Sequence, residues 1–198
     1  MTQGNPRKGA TRLKLEEAEF FLGQLKPNYG KNKKFDFFLS AFFGAARSVL
    51  WMMRAEYSAV EGWEEWYAAR QPDADEGRLF ARTKDVRNRS AKSDPLKTLR
   101  EMTFSMDHSD KPKDIEAQEL LKRAMQEKLP ISIKSIRGAS GSYAIEFVIE
   151  DRRVSVSPRE IGIDRWLPEF PGEHILTVCR DYYQTLAKIV QECEAKFG

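Results

Sequence analysis

The sequence contains very little cysteine and histidine, the two residue types that most often ligate zinc or act as nucleophile and base. Its two cysteines, Cys179 and Cys193, fall in one helical segment, where fourteen residues separate them by about 21 Å, too far for a disulfide. Its two histidines, His108 and His174, have no second ligand at the spacing of a zinc motif. We therefore expect reduced core thiols, as in a cytosolic protein, and no metal site.

Motifs that bind phosphate or activate a serine are also missing. The chain has no glycine-rich P-loop, no dinucleotide-binding fingerprint and no nucleophile elbow. The stretch GASGSY stands between two strand-like segments, where a hairpin turn is its simplest interpretation. We expect no cofactor.

No stretch approaches the roughly 20 apolar residues of a membrane helix. The best candidate, residues 35–53, is interrupted by Asp36, Ser40 and Arg47. The segment MTQGNPRKGATR lacks the apolar core of a secretory signal. The sequence thus predicts a cytoplasmic protein with no membrane partner.

The apolar residues, 41% of a 198-residue chain, recur mainly at helical spacing. After a flexible basic arm over residues 1–10, this periodicity predicts a helical bundle over residues 11–95. Its second helix, residues 35–57, is apolar over nearly its whole circumference, as in the centre of a bundle or a subunit interface.

A different pattern follows. Residues 96–171 combine one helical segment with alternating, β-branched stretches, which predicts an α/β insertion with three or four short strands. Residues 172–198 form a long apolar helix that we expect to pack back on the bundle. The predicted fold is α+β, mainly α: an up-and-down helical bundle with a small antiparallel β-meander inserted before the last long helix, one domain overall. The apolar surface of the second and last helices also predicts a homodimer.

A basic helix closes the predicted bundle, and eight Lys or Arg residues lie between Arg78 and Arg100. At 100° per residue, most of its charge forms one solvated stripe, in which Asp85 can bridge Arg82 and Arg89. If RNA binds this surface, we expect its phosphates to contact the basic arm and the arginines of the region: Arg78, Arg82, Arg89 and Arg100.

Arg87 lies elsewhere on this helix, about 80° from Leu79 and inside the apolar arc. A guanidinium there needs a partner or a cleft, because an unpaired buried charge costs about 3–5 kcal/mol. One interpretation is an internal ion pair with a carboxylate, for which Asp36 on the second helix is the candidate. The other is a groove that binds phosphate bidentately, with Asp36 and Arg47 as supporting residues.

The phrase VRNRSAK, late in a helix of a bundle, resembles the R-N-x-x-x-H segment of the HEPN superfamily, with Lys92 in the histidine position. The resemblance covers roughly residues 12–93 and 172–197. It implies a small helical bundle that dimerises, with the arginine and histidine meeting at the dimer interface. Many such proteins are metal-independent ribonucleases of toxin–antitoxin, phage-defence and CRISPR systems, and others are non-catalytic partners. By resemblance, Arg87 stabilises a phosphate and Asn88 orients it.

Lysine at position 92 is the departure from that pattern. A general base needs a pKa near the working pH. The pKa of free histidine, about 6.5, meets this requirement, whereas that of free lysine, about 10.4, does not. Arg87 and Lys92 also lie about 140° apart on a straight helix, so they converge only across a twofold axis or at an unwound helix end.

Three interpretations remain open. The first is a non-catalytic or weakly catalytic HEPN-like protein that binds RNA or a protein partner such as an antitoxin or toxin. The second is an active metal-independent endoribonuclease that uses Arg87, Asn88 and Lys92 to promote attack of a 2′-hydroxyl on the adjacent phosphate. The third is a structural or interaction subunit in which Arg87 only forms an internal ion pair.

Overall fold

The computed structural model of the chain describes residues 9–70, 72–92, 94–105, 112–139, 142–156 and 160–198. The predicted basic arm, apart from its last two residues, and His108 lie outside these ranges. The chain forms two compact units, residues 1–100 with 165–198 and residues 101–164, which we call the bundle unit and the insertion unit.

The described residues contain six α-helices and five strands. The helices are α1 (Ala10–Leu25), α2 (Asn32–Tyr57), α3 (Trp63–Ala69), α4 (Ala74–Lys92), α5 (Pro112–Gln126) and α6 (Ile175–Phe197). The strands are β1 (Leu99–Ser105), β2 (Ile131–Ala139), β3 (Ser142–Ile149), β4 (Arg152–Val156) and β5 (Glu160–Trp166). The prediction of a mainly α, α+β fold with strands inserted before the last helix is confirmed.

The core of the bundle unit is built around α2 and α6. Helix α2 packs along α1 and also contacts α4 and α6. One side of α2 is completely buried, and α6 contributes a continuous buried stripe from Ile175 to Cys193. The two cysteines are free thiols within that stripe, as predicted, and burial raises the pKa of Cys193 to about 12. Helix α6 therefore packs most of its apolar residues inside the unit, while Leu176, Tyr183, Ala187 and Phe197 are only partly buried.

Helix α2 is long and apolar enough to cross a membrane by length and composition alone. Its fully buried residues account for that hydrophobicity within the bundle core: Phe35, Leu39, Phe42, Phe43, Ala46, Val49 and Met53. Two of its aromatic residues, Phe37 and Trp51, are instead 69% and 64% exposed.

Side chains fix the ends of two bundle helices. Glu56 near the end of α2 accepts hydrogen bonds from the backbone N–H and hydroxyl of Thr11, at 2.9 and 2.7 Å, and so holds the first turn of α1. Asp73 accepts from the backbone N–H groups of Asp75 and Glu76 at the start of α4. Both carboxylates satisfy N–H groups that have no partner within the helix.

The insertion unit contains an antiparallel sheet in the order β2–β3–β4. The β3–β4 connection is a tight turn in which Glu150 and Asp151 both have positive φ, as two-residue hairpins require. Helix α5 and the sheet share a core of apolar residues: Ala117, Leu121, Ala124, Ile145, Phe147, Ile149 and Val156. The insertion unit therefore has a hydrophobic core of its own.

Strands β1 and β5 pair with each other in a second, two-stranded sheet. Gly162 of β5 is required there, because a Cβ at this position would lie 2.5 Å from Thr103 Oγ1. The predicted insertion, residues 96–171, is longer than the observed unit of residues 101–164. The difference arises because Leu96, Leu167 and Phe170 are buried in the core of the bundle unit.

Candidate functional site

The basic helix α4 is anchored in the bundle by Val86 and Thr83, which are buried, and by Phe80, which packs edge-on against Tyr182 of α6. The hydroxyl of Thr83 donates to the carbonyl of Phe80 and also shares a hydrogen bond with the phenol of Tyr182. These contacts decide which arginines of α4 face the protein and which face solvent.

Arg89 is bound to a carboxylate in a bidentate arrangement. Its Nε donates to Glu169 Oε1 at 2.7 Å and its Nη2 donates to Glu169 Oε2 at 3.0 Å. This is the planar fork geometry that arginine forms best. Burial by itself would raise the pKa of Glu169, but hydrogen bonds from Arg89 and from the Glu169 backbone N–H hold it below its ordinary value.

Arg82 holds the same segment. Its Nε donates to the carbonyl oxygen of Glu169 at 2.7 Å, its Nη2 donates to Glu173 Oε1 at 2.5 Å, and its guanidinium stacks 3.9 Å from the ring centroid of Phe170. Arg82 and Arg89 thus fasten the connection between β5 and α6 to the bundle.

One prediction about the basic stripe is wrong. Asp85 does not bridge Arg82 and Arg89, because both reach the glutamates of a segment 80 or more residues away in sequence. Arg82 and Arg89 each donate two guanidinium N–H groups to this segment, and their contact with RNA stays a prediction. Arg78 forms a solvent-exposed pair with Asp75, one turn earlier on the helix. Arg100 is exposed on β1.

Arg87 lies on the other side of α4 and is half-buried. Its guanidinium makes no hydrogen bond or ion pair with any residue that the structure describes. The backbone carbonyl of Arg87 accepts from Ser90 Oγ at 3.1 Å, so its main chain remains helical. A guanidinium whose donors have no partner among the described residues has the chemistry to bind an anion.

The predicted pairing of Arg87 with Asp36 is wrong. Asp36 accepts hydrogen bonds from Thr98, from its Oγ1 at 2.9 Å and from its backbone N–H at 3.4 Å. Thr98 Oγ1 in turn accepts from Arg165 Nη1 at 2.9 Å. Asp36 is engaged at the start of β1 and not at α4.

Arg165 is the only fully buried cation among the described residues, with 1% of its surface exposed. Its guanidinium lies 4.7 Å from the ring centroid of Phe35 and 5.4 Å from that of Tyr29. Burial, followed by the charge of Arg100, lowers the pKa of Arg165. The sequence analysis missed this residue, and its position in a short charged stretch of β5 gives no signal that it is buried.

Arg47 on α2 is half-buried, and no carboxylate pairs with it in the described part of the chain. It lies close enough to Tyr182 for its charge to act on the phenol. Burial raises the pKa of Tyr182, while the hydrogen bond with Thr83 and the charge of Arg47 both lower it. Arg47 of α2 and Thr83 of α4 thus lie near one buried hydroxyl.

Asn88 and Lys92 do not join Arg87 in one site within the chain. Asn88 is half-buried and its side chain makes no hydrogen bond with the described residues, while Lys92 is exposed. Helix α4 remains α-helical through Lys92, so the unwound end that would bring Lys92 towards Arg87 is not present. The side chains of Arg87 and Lys92 therefore leave the helix in directions that differ by about 140° around its axis.

His174 precedes α6 and is stacked on Tyr29. The Tyr29 hydroxyl and His174 Nε2 are 2.9 Å apart and form a hydrogen bond. No group of three His, Cys, Asp or Glu side chains within the described ranges is placed to hold a metal ion.

Comparisons of the chain with protein-family models, with curated proteins and with solved structures found no match.

Proposed function

We propose that this is a HEPN-like RNA-binding protein without efficient catalysis, in which Arg87 binds an RNA phosphate at the surface between α4 and α2. The observation that carries the proposal is the environment of Arg87. Among the α4 arginines at positions 78, 82, 87 and 89, it alone has no carboxylate partner in the described structure, although it is half-buried.

Arg47 supports the same surface. It adds a second half-buried guanidinium with no carboxylate partner, on the helix that packs against α4. Two such groups give the surface a positive potential that favours phosphate, and bidentate arginine contacts would fix the orientation of the backbone.

The position of Lys92 supports the proposal that catalysis is inefficient. Cleavage of RNA without a metal needs a base close to the phosphate that Arg87 binds. Lys92 points away from Arg87 on the same helix and is exposed to solvent, so within one chain it adds at most a distant positive charge. The protein would act in the cytoplasm, as part of a toxin–antitoxin or phage-defence system, with an antitoxin or toxin as its partner.

The test is the affinity for a short unstructured RNA, measured by fluorescence anisotropy at several salt concentrations. We expect Arg87→Gln to lower affinity by about 10- to 100-fold, since charged hydrogen bonds contribute about 1.5–3 kcal/mol, and to reduce the salt slope by about one. Arg78→Gln is the matched control, because it removes one exposed positive charge from the same helix.

Equal losses of RNA affinity in Arg87→Gln and Arg78→Gln would show that RNA is attracted only by non-specific charge. No binding of RNA at low salt would overturn the proposal. Incubation of total RNA with the protein in EDTA distinguishes the enzymatic alternative. Fragments that disappear in Arg87→Ala would show a metal-independent ribonuclease and contradict the claim of inefficient catalysis.

A further inference from the structure

Helix α2 carries two large aromatic side chains that the bundle does not cover. Phe37 and Trp51 are 69% and 64% exposed, whereas Phe35, Phe42 and Phe43, which face the core from the same helix, are at most 1% exposed. The directions of Phe37 and Trp51 around the helix axis differ by only about 40°, so the two lie on one face of α2. Single exposed apolar residues are common on protein surfaces, but two aromatic residues that share a helix face require a further reason.

Basic residues accompany both aromatic residues. Each aromatic residue has two of them three and four positions away on the same helix, a spacing that makes them neighbours on its surface. Three of these four basic side chains are exposed and one is half-buried. We call the two aromatic residues and their four basic neighbours the α2 strip: Lys33, Lys34, Phe37, Arg47, Trp51 and Arg54.

No carboxylate of the described residues pairs with any of the four cations of the α2 strip. Helix α2 has only two acidic residues, and the bundle uses both of them. Asp36 accepts a hydrogen bond from Thr98, and Glu56 accepts one from Thr11. The charge of the strip is therefore positive throughout and fits an anionic partner.

The surface between the two aromatic residues is low and open. On this face only the small residues Ser40, Gly44 and Ser48 lie between Phe37 and Trp51. A Cβ added at Gly44 would meet nothing within 4 Å, and the hydroxyl of Ser48 donates to the Gly44 carbonyl at 2.8 Å. The strip thus holds its two aromatic residues about 21 Å apart, with nothing from the described chain above the middle of the face.

Aromatic residues that alternate with cations suit a strand of nucleic acid. Lysine and arginine pair with its phosphates, and exposed aromatic rings stack on its bases. The bases of a duplex stack on one another, so the bases that reach an aromatic side chain come from unpaired segments. A membrane surface fits less well, because a helix that lies on lipid buries a continuous apolar face, and small or polar residues separate Phe37 from Trp51.

We propose that the α2 strip binds unpaired RNA, with Phe37 and Trp51 each stacked on a base and the four cations in contact with the adjoining phosphates. Arg47 belongs both to this strip and to the surface that includes Arg87. The proposal rests on the proposed function for the choice of RNA as the ligand. It adds a class of RNA, because a phosphate contact such as that of Arg87 fixes the position of the backbone, whereas stacking requires a free base.

The test is the affinity of the full chain for an unstructured RNA of about 12 nucleotides and for the same RNA annealed to its complement, measured by fluorescence anisotropy. We expect Trp51→Ala to lower the affinity for the unpaired RNA by about 5- to 100-fold, the range found for the loss of one stacked base. Its affinity for the duplex should change less than about twofold, because no stacked base is lost there. Trp51→Phe should keep most of the affinity, since a phenyl ring also stacks.

The cations of the strip have a different signature from its aromatic residues. The double variant Lys33→Gln, Lys34→Gln should reduce the salt slope for unpaired RNA by about 1.4, if each lysine neutralises one phosphate. Trp51→Ala should leave that slope unchanged, because it removes no charge.

Phe20→Ala is the matched control for both aromatic residues of the strip. Phe20 is a helical aromatic residue that is 57% exposed, but it lies on α1. Phe20→Ala should leave both affinities unchanged, while Phe37→Ala should behave like Trp51→Ala. The melting temperatures of all these variants should stay close to that of the wild type, since each substituted side chain is exposed.

Equal losses of RNA affinity in Trp51→Ala and Phe20→Ala, or equal losses for paired and unpaired RNA, would overturn the proposal. An unchanged affinity of Trp51→Ala for unpaired RNA would also overturn it. Weaker binding of that variant to vesicles of phosphatidylserine and phosphatidylcholine would then assign the strip to a membrane, and a lower mass in sedimentation would assign it to a second copy of the chain.

The same measurements separate this proposal from the proposed function. If Arg87→Gln lowers RNA affinity and Trp51→Ala does not, only the role of the α2 strip is contradicted. If Trp51→Ala lowers the affinity for unpaired RNA and Arg87→Gln does not, the strip binds RNA and the phosphate site at Arg87 is contradicted. No binding of unpaired RNA at low salt would overturn both.

Discussion

The four arginines of helix α4 lie in three kinds of environment. Arg82 and Arg89 are held by Glu169 and Glu173, Arg78 forms an exposed pair, and Arg87 has no carboxylate partner in the described chain. The direction of each side chain around the helix axis decides which environment it meets. The clustering of basic residues in the sequence therefore overestimates the basic surface of α4. Arg87, which lies in the apolar arc, is the arginine on which the proposed binding of RNA depends.

The pair of Arg89 and Glu169 yields a prediction about stability and pH. Glu169→Gln should lower the free energy of unfolding at pH 7 by about 1–3 kcal/mol, because it breaks a bidentate charged contact that is largely shielded from solvent. The pKa of Glu169 is lowered in the folded protein. Its contribution is thus present above the unfolded pKa of about 4.3 and is lost as pH falls through the folded pKa. Urea unfolding from pH 7 down to pH 3 would measure both effects.

Asp75→Asn is the control for that measurement. It removes the carboxylate of an exposed pair on the same helix, and such pairs contribute about 0–1 kcal/mol. If Glu169→Gln costs no more than Asp75→Asn, or if its cost does not shrink in acid, the Arg89–Glu169 contact does not stabilise the connection to α6.

At the scale of the elements, Arg165 joins the end of β5 to the bundle. Arg165→Ala should destabilise the protein by about 3–5 kcal/mol, because it removes a fully buried cation that bonds Thr98 and stacks between two aromatic rings. Arg165→Lys should recover little of this loss, since an ammonium lacks the planar fork. Thermal and urea unfolding measure the effect, and Arg100→Ala on exposed β1 is the control. A loss below about 1 kcal/mol in Arg165→Ala would contradict the anchoring role.

The helices could be predicted because hydrophobic periodicity and breakers such as Pro27, Gly62 and Pro72 act locally, although α2 begins at Asn32 and not at residue 35. The insertion before α6 was also predicted, since its alternating strands differ so clearly from the bundle. Strand β5 was missed because its sequence, EIGIDRW, mixes two charges and a glycine with two isoleucines. The separate core of the insertion unit depends on how α5 meets the sheet, a long-range contact that no local pattern encodes.

The site was predicted only in part. The position of Arg87 on the inner side of α4 follows from the helix period and is what the structure has. The ion pair with Asp36, one of the two interpretations of Arg87, does not form, because Asp36 accepts a hydrogen bond from Thr98. Thr98 is uncharged, so the pattern of charges in the sequence does not indicate this contact. Glu169 could not be assigned to Arg89 from sequence, since 80 residues separate them and no pattern in PEFPGEH marks the contact.

For the whole molecule, the net charge of +3 is too small to indicate an anionic partner by itself. If Arg82 and Arg89 bind only the glutamates of their own chain, RNA binding depends on a few cations around Arg87 and Arg47.

The most direct test of the central claim is the ¹H–¹⁵N spectrum of the arginine side-chain Nε–H groups, recorded with and without a short unstructured RNA. Arg87→Gln and Arg89→Lys would assign the signals. We predict that RNA shifts the Arg87 signal, because its donors gain a phosphate, and leaves the signals of Arg82 and Arg89 in place, because glutamates already hold them. An Arg87 signal that stays fixed while RNA binds, or a shift confined to Arg82 and Arg89, would contradict the account.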